Sequence, residues 1–151
     1  MEQSANADAI AWCLRLTSMY AGWAANRRAQ LEAFADPAGG MQILQIHGFG
    51  AYRTLAAEAG LHVLEEQAGG QMRRIVARVS VVPGPVASLP KEAAFSTAQA
   101  LLGGAAKGTA IMRRYREIPA PLVRDVSKGW RSGRLDAVLA GDFDIVPVAP
   151  A

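Results

Sequence analysis

Gly48-Phe49-Gly50-Ala51-Tyr52-Arg53-Thr54-Leu55, followed by Glu58-Ala59-Gly60-Leu61-His62, is the stretch that decides the fold. Two glycines one residue apart break the strand pattern before them. Ala51 to Ala59 has the residue types of a short helix, and Gly60 stands where a C′ glycine ends one. Leu61 to Leu64 then opens a strand, and Gly69-Gly70 makes a two-residue hairpin turn. Met72 to Val82 returns as a long β-branched strand that Pro83 stops.

Upstream, Met41 to His47 alternates well enough for a strand, with Met41, Ile43 and Ile46 apolar. Asp36-Pro37-Ala38-Gly39-Gly40 is a turn by composition, and Leu31 to Ala35 is a short strand. Asp8 to Arg28 is an amphipathic helix, because Trp12, Leu16, Met19 and Trp23 fall at spacings of four, three and four. Asn6 or Asp8 can cap its start, and Arg27-Arg28 suits its negative end. Downstream, the prolines of 83–90 mark a loop, and Lys91 to Leu102 is a helix candidate closed by Gly103-Gly104. Met112 to Glu117 and Leu122 to Val126 are short strands around Pro119 and Pro121. Leu135 to Ala140 is a last helical turn or two, before an apolar tail from Ile145 to Ala151. There is no internal repeat and no heptad. The expected architecture is one α+β domain over residues 1–151, an antiparallel or mixed sheet packed with a few helices.

The chain has 151 residues, 51% of them apolar, which is enough for an ordinary core and excludes a disordered chain. No apolar run approaches the roughly 18–20 residues that span a bilayer, so no membrane partner is expected. Met1-Glu2-Gln3-Ser4 lacks the basic and apolar blocks of a signal peptide, and a lone cysteine, Cys13, cannot form an internal disulfide. These features predict a cytoplasmic protein. The net charge of +3 is unevenly spread. Residues 1–70 carry four Arg against seven Asp or Glu, whereas residues 71–134 carry twelve Lys or Arg against three acids, a net of +9. A basic block of this kind suits a polyanionic partner such as RNA, or serves as a solvated face.

Nothing in the sequence builds an enzyme. His47 and His62 lie fifteen residues apart with no cysteine near either, which is no metal-ligand spacing. No serine sits in a nucleophile elbow, Cys13 falls inside the first helix, and no Walker A or dinucleotide fingerprint occurs. No catalytic residue, metal or cofactor is therefore expected. The basic residues have more shape. On a strand, Arg74 and Arg78 share one face while Arg73 projects from the other. Arg113, Arg114 and Arg116 surround Tyr115, and Arg124, Lys128, Arg131 and Arg134 surround Trp130. Arginines beside aromatics suit phosphates and stacked bases, so these ten cations are the candidate RNA contacts. The competing possibility is that Tyr115 and Trp130 are core or rim residues.

The opening stretch resembles the G-x-x-A-Y-x-x-L…E-x-G-x-H run of the codon-recognition domain of bacterial class I peptide chain release factors. Other segments resemble the same family in the same order. Trp12, Met19-Tyr20 and Trp23-Ala24 are similar to its first helix, in the type that reads UGA and UAA. Ala38-Gly39-Gly40 precedes a strand, and Val79-Ser80-Val81-Val82-Pro83 is similar to V-x-V-x-P. Met112-Arg113-Arg114-Tyr115 with Pro119 resembles I-R-x-Y-x-x-P. Arg124-Asp125, Gly129 and Leu135-Asp136-Ala137-Val138-Leu139-Ala140-Gly141-Asp142-Phe143-Asp144 resemble the closing D-x-x-T-G…L-D-x-V-L-x-G-x-L-D. The resemblance implies that residues 6–83 and 110–145 fold together as one α+β core.

Its departures bear on function. The family's N-terminal helical domain has no counterpart, and about twenty-six residues, Gly84 to Thr109, stand in place of its catalytic domain. The family's catalytic Gly-Gly-Gln loop stabilises charge as water attacks the peptidyl-tRNA ester. Here Gly69-Gly70-Gln71 falls instead at the position of the codon-reading loop, Gln67-Ala68-Gly69-Gly70-Gln71, where two glycines between strands are an ordinary hairpin turn. That loop is shortened and lacks P-x-T or S-P-F, and the family's codon-contacting His-Thr-Ser aligns with Arg73-Arg74-Ile75. The resemblance therefore implies a non-catalytic protein that binds the ribosome or another structured RNA in translation termination or rescue. The alternative is a fold repurposed as a protein-protein adaptor or subunit.

Overall fold

Trp12, Leu16, Met19 and Trp23 form a buried stripe on α1 (Glu2–Asn26), as the periodicity predicts. The helix begins earlier than Asp8 and ends without a glycine. Arg28 takes the left-handed conformation (φ 55°) while the Arg28 and Ala29 amides donate to the Ala25 and Ala24 carbonyls, closing a Schellman turn. The computed structural model describes residues 2–35, 41–84, 96, 100 and 110–144. The turn expected at 36–40 and the apolar tail from Ile145 lie outside these residues, as does the helix expected at Lys91 to Leu102, apart from residues 96 and 100. Most of the proline-marked loop at 83–90 is likewise outside.

Two sheets follow α1. β1 (Gln30–Ala35) pairs antiparallel with β2 (Gln42–His47) in a two-stranded ribbon. The second sheet is five-stranded and mixed, in the order β4-β3-β5-β6-β7, with β3 (Gly60–Ala68), β4 (Gln71–Val79), β5 (Ile111–Arg116), β6 (Leu122–Asp125) and β7 (Arg131–Ser132). All its pairings are antiparallel except that of β3 with β5. The expected hairpin is present: Ala68 pairs with Gln71 across Gly69 (φ 59°) and Gly70 (φ 81°). Both turn residues have positive φ, the type I′ condition that matches strand twist. β4 ends at Val79 opposite Gly60, and β5 begins at Ile111 opposite Leu61, so the two strand ends flank the same start of β3.

The opening stretch folds nearly as expected, with one correction. The helix covers only α2 (Ala51–Leu55), continues as a 3-10 turn over Ala56–Glu58, and is already extended at Ala59. Gly60 is thus the first residue of β3 rather than a helix C′ glycine. Its φ of 141° and the Ala110 carbonyl and Met112 Cβ beside it, each 3.1 Å from where a Cβ would sit, explain the glycine.

α1 covers one face of the five-stranded sheet. Trp12, Leu16, Met19, Tyr20 and Trp23 pack on Leu64, Ile75 and Tyr115, and α3 (Leu135–Leu139) closes the end of this core with Leu135, Val138 and Phe143. Where α1 meets the turn after α3, two backbones touch. A methyl on Gly22 would overlap the Ala140 carbonyl, and one on Gly141 (φ 116°) would overlap the Trp23 amide. Phe143 then stacks on Trp23, and the Trp23 indole and Arg27 both donate to Asp144. Gly22→Ala is expected to destabilise the protein by about 1–3 kcal/mol through overpacking. Urea titration measures it, and Gly84→Ala, where a methyl meets open space, is expected to change little.

Candidate nucleic-acid interface

Arg113 does not reach the surface. It lies on the α1 side of β5, fully buried, and each of its five N–H donors has an acceptor. Nη1 and Nη2 donate to the two oxygens of Glu58 at 2.7 Å each, a bidentate pair. Nε and Nη2 donate to Asp125 Oδ2 at 3.2 and 2.9 Å, and Nη1 also donates to the Tyr115 hydroxyl at 3.0 Å. The guanidinium carbon lies 5.3 Å from the ring centres of both Trp130 and Phe143, within cation–π range.

The remaining lone pairs are also used. Tyr20 donates to Glu58 Oε1 (3.1 Å), and the Lys128 amide donates to Asp125 Oδ1 (2.6 Å). His62 Nε2 lies 2.8 Å from the Glu58 carbonyl, which can only accept, so Nε2 carries the proton. Nδ1 then accepts from the Tyr115 hydroxyl at 2.8 Å, and the imidazole is neutral. The Trp12 indole donates to the His62 carbonyl. Among the described residues no buried side-chain nitrogen or oxygen lacks a partner. Burial lowers the His62 pKa, with the Arg113 charge adding to it, while burial raises those of Tyr20 and Tyr115. Burial disfavours the Arg113 charge too, but the Tyr115 hydroxyl and the Glu58 carboxylate outweigh it and keep the guanidinium protonated.

Every residue of this network lies in a motif that carries the release-factor resemblance or beside one. Glu58 and His62 come from the E-x-G-x-H run, Arg113 and Tyr115 from the I-R-x-Y segment, and Asp125 from the closing segment. His62 is a buried member of this network two residues after Gly60, and His47 ends β2. No group of three or more metal-ligating side chains occurs among the described residues.

The other candidate cations divide by face. Arg73 lies on the α1 side, bound to Asp8 and Glu66 at 2.9 Å each. Strand alternation and register turn Arg74, Arg78, Arg114, Arg116, Arg124 and Arg131 to the opposite face. There Glu65 is cross-strand from Arg74 and 3.7 Å from Arg114, and Arg116 donates to the Ala120 carbonyl. Lys128 lies in the β6–β7 turn and Arg134 just before α3, both exposed and away from the strand ladder. Tyr115 and Trp130 are buried, so the aromatics are core residues and not stacking platforms. Sequence reasoning missed Glu58 and Asp125 as partners of Arg113. The signal available was Glu58 four residues before His62 in a motif with no exposed role. Gln67 to Gln71, to which the resemblance gives the codon-loop position, is the hairpin tip, at the end of β3 and β4 remote from Arg78.

Arg113→Met should cost about 3–5 kcal/mol, since it leaves Glu58 and Asp125 buried without their cation. Urea denaturation at neutral pH measures it. Because His62 has a folded-state pKa below 6.5, the unfolded chain binds more protons in that window. Stability should hold above about pH 6.5 and fall below it, by at most about 1.4 kcal/mol per pH unit. His62→Gln should flatten this part of the profile.

No protein-family model matches the chain, and no curated protein matches it. Among solved structures, RF2 of Thermus thermophilus resembles it with a TM-score of 0.56 and 22% sequence identity, over 87% of this chain and 60% of that one. The chain therefore spans less than two thirds of that protein's length. What the two share is a fold, the mixed α+β fold of a release factor.

Proposed function

We propose that the protein is a non-catalytic, release-factor-like factor that binds the ribosome or another structured RNA in the cytoplasm, in translation termination or rescue. The observation that carries this reading is the buried network. Residues of both motif blocks, Glu58 and His62 with Arg113, Tyr115 and Asp125, hold together a sheet whose fold is that of a release factor. So specific a buried ion cluster favours a scaffold that holds one shape. The +9 segment supplies exposed Arg74, Arg78, Arg124 and Arg131 for phosphates.

On the release-factor resemblance, the two-glycine hairpin lacks the tripeptide that reads a codon, and residues 84–109 replace the family's catalytic domain. The protein would then act by occupying a site rather than by hydrolysis. Phe49, wholly exposed between Gly48 and Gly50 and followed by half-exposed Tyr52, favours the second reading, a protein-protein adaptor. Co-sedimentation with purified ribosomes at low salt is expected, and Arg74→Glu with Arg78→Glu should weaken it at least about tenfold. No sedimentation at low salt, or a protein partner that survives nuclease and depends on Phe49, would instead support the adaptor. Peptide release that Gln71→Ala abolishes would overturn the non-catalytic assignment.

A further inference from the structure

The face of the five-stranded sheet turned away from α1 contains an arrangement that costs the isolated protein stability. Arg114 on β5 is directly opposite Arg124 on β6, and Arg124 is directly opposite Arg131 on β7. Like charges paired across strands destabilise a sheet, and here three stand in one transverse row, roughly 5 Å apart at each step. The next rows add Arg116, Arg74 and Arg78 on the same face. Among the described residues Glu65 is the one acid of these strands on that face, next to Arg74 and Arg114. The opposite face of the same strands satisfies its cations: Arg113 has Glu58 and Asp125, and Arg73 has Asp8 and Glu66. Among the described residues the chain pairs its arginines closely on that face, whereas on this one Arg114 has the longer contact to Glu65 and faces Arg124, which faces Arg131.

We infer that this face, with Arg114, Arg124 and Arg131 as its central row, is the surface that grips the phosphate backbone of RNA. Among the described residues Glu65 reaches Arg114 alone of this row, and a sugar-phosphate chain laid across the strands supplies anions to Arg124 and Arg131 as well, relieving the repulsion when bound. Buried Tyr115 and Trp130 leave no stacking platform at the row, so the grip reads backbone and shape rather than base sequence. The Gln67–Gln71 hairpin tip is not part of it. This inference rests on the RNA-binding reading above and assigns that reading a face.

The test is binding of a labelled RNA stem-loop and of purified ribosomes over a range of salt. Arg114→Gln, Arg124→Gln and Arg131→Gln together should lower affinity at least about tenfold and reduce the slope of log K against log salt by about two to three. The thermal midpoint of this variant should not fall, because repulsion is removed. A variant losing the same charge elsewhere, Arg15→Gln with Arg28→Gln and Arg53→Gln, should keep most of the affinity and slope. RNA binding by the wild type with an unchanged slope in the first variant would overturn the face and leave the RNA reading standing. Equal losses in both variants would overturn it as well. No RNA binding by the wild type would overturn both readings.

Discussion

The guanidinium of Arg113 is the constraint on which the rest of the structure depends. A buried cation has to be neutralised where it lies, and here two carboxylates from different elements meet it, Glu58 from the 3-10 turn and Asp125 from the end of β6. Because both pairs require full geometry, they fix the turn before β3 against β5 and β6. Tyr115 and His62 extend the network to β3 and the 3-10 turn, and Tyr20 and Trp12 tie α1 to it. A hydrophobic cluster of the same volume could be equally stable, so the ion cluster is better understood as specifying one arrangement than as adding stability.

Much of the fold was legible in local pattern. The stripe on α1, the Gly69-Gly70 turn and the strands around Pro119 depend on spacing and turn chemistry, which are local properties. Gly60 is ambiguous in sequence, because a glycine after a helix suits either a cap or a crowded strand start. What decided it was Met112, some fifty residues away. The mixed sheet also has a non-local cause, since parallel pairing of β3 with β5 leaves no signature in either strand.

The candidate site was legible only in outline. An arginine in a strand has two possible faces, and sequence identifies neither as the buried one. Arg113 and Arg114 are adjacent yet have opposite fates, because Tyr115 and Asp125 share the face of Arg113 while Arg124 and Arg131 share that of Arg114. Clustered basic residues around aromatics looked like one kind of site. In space they are a packed ion cluster on one side and, on the other, a row in which Arg124 and Arg131 are exposed and Arg114 is half-buried.

The ends of β4 and β5 bracket the same two residues of β3, Gly60 and Leu61, two strand spacings or about 10 Å apart. Whatever chain leaves β4 must return to nearly the same place, whether it is short or an entire domain. The entropy of closing such a loop grows only with the logarithm of its length, about 0.6 kcal/mol per doubling. The spacing of these two strand ends, rather than the length of chain between them, therefore sets the geometry of the junction.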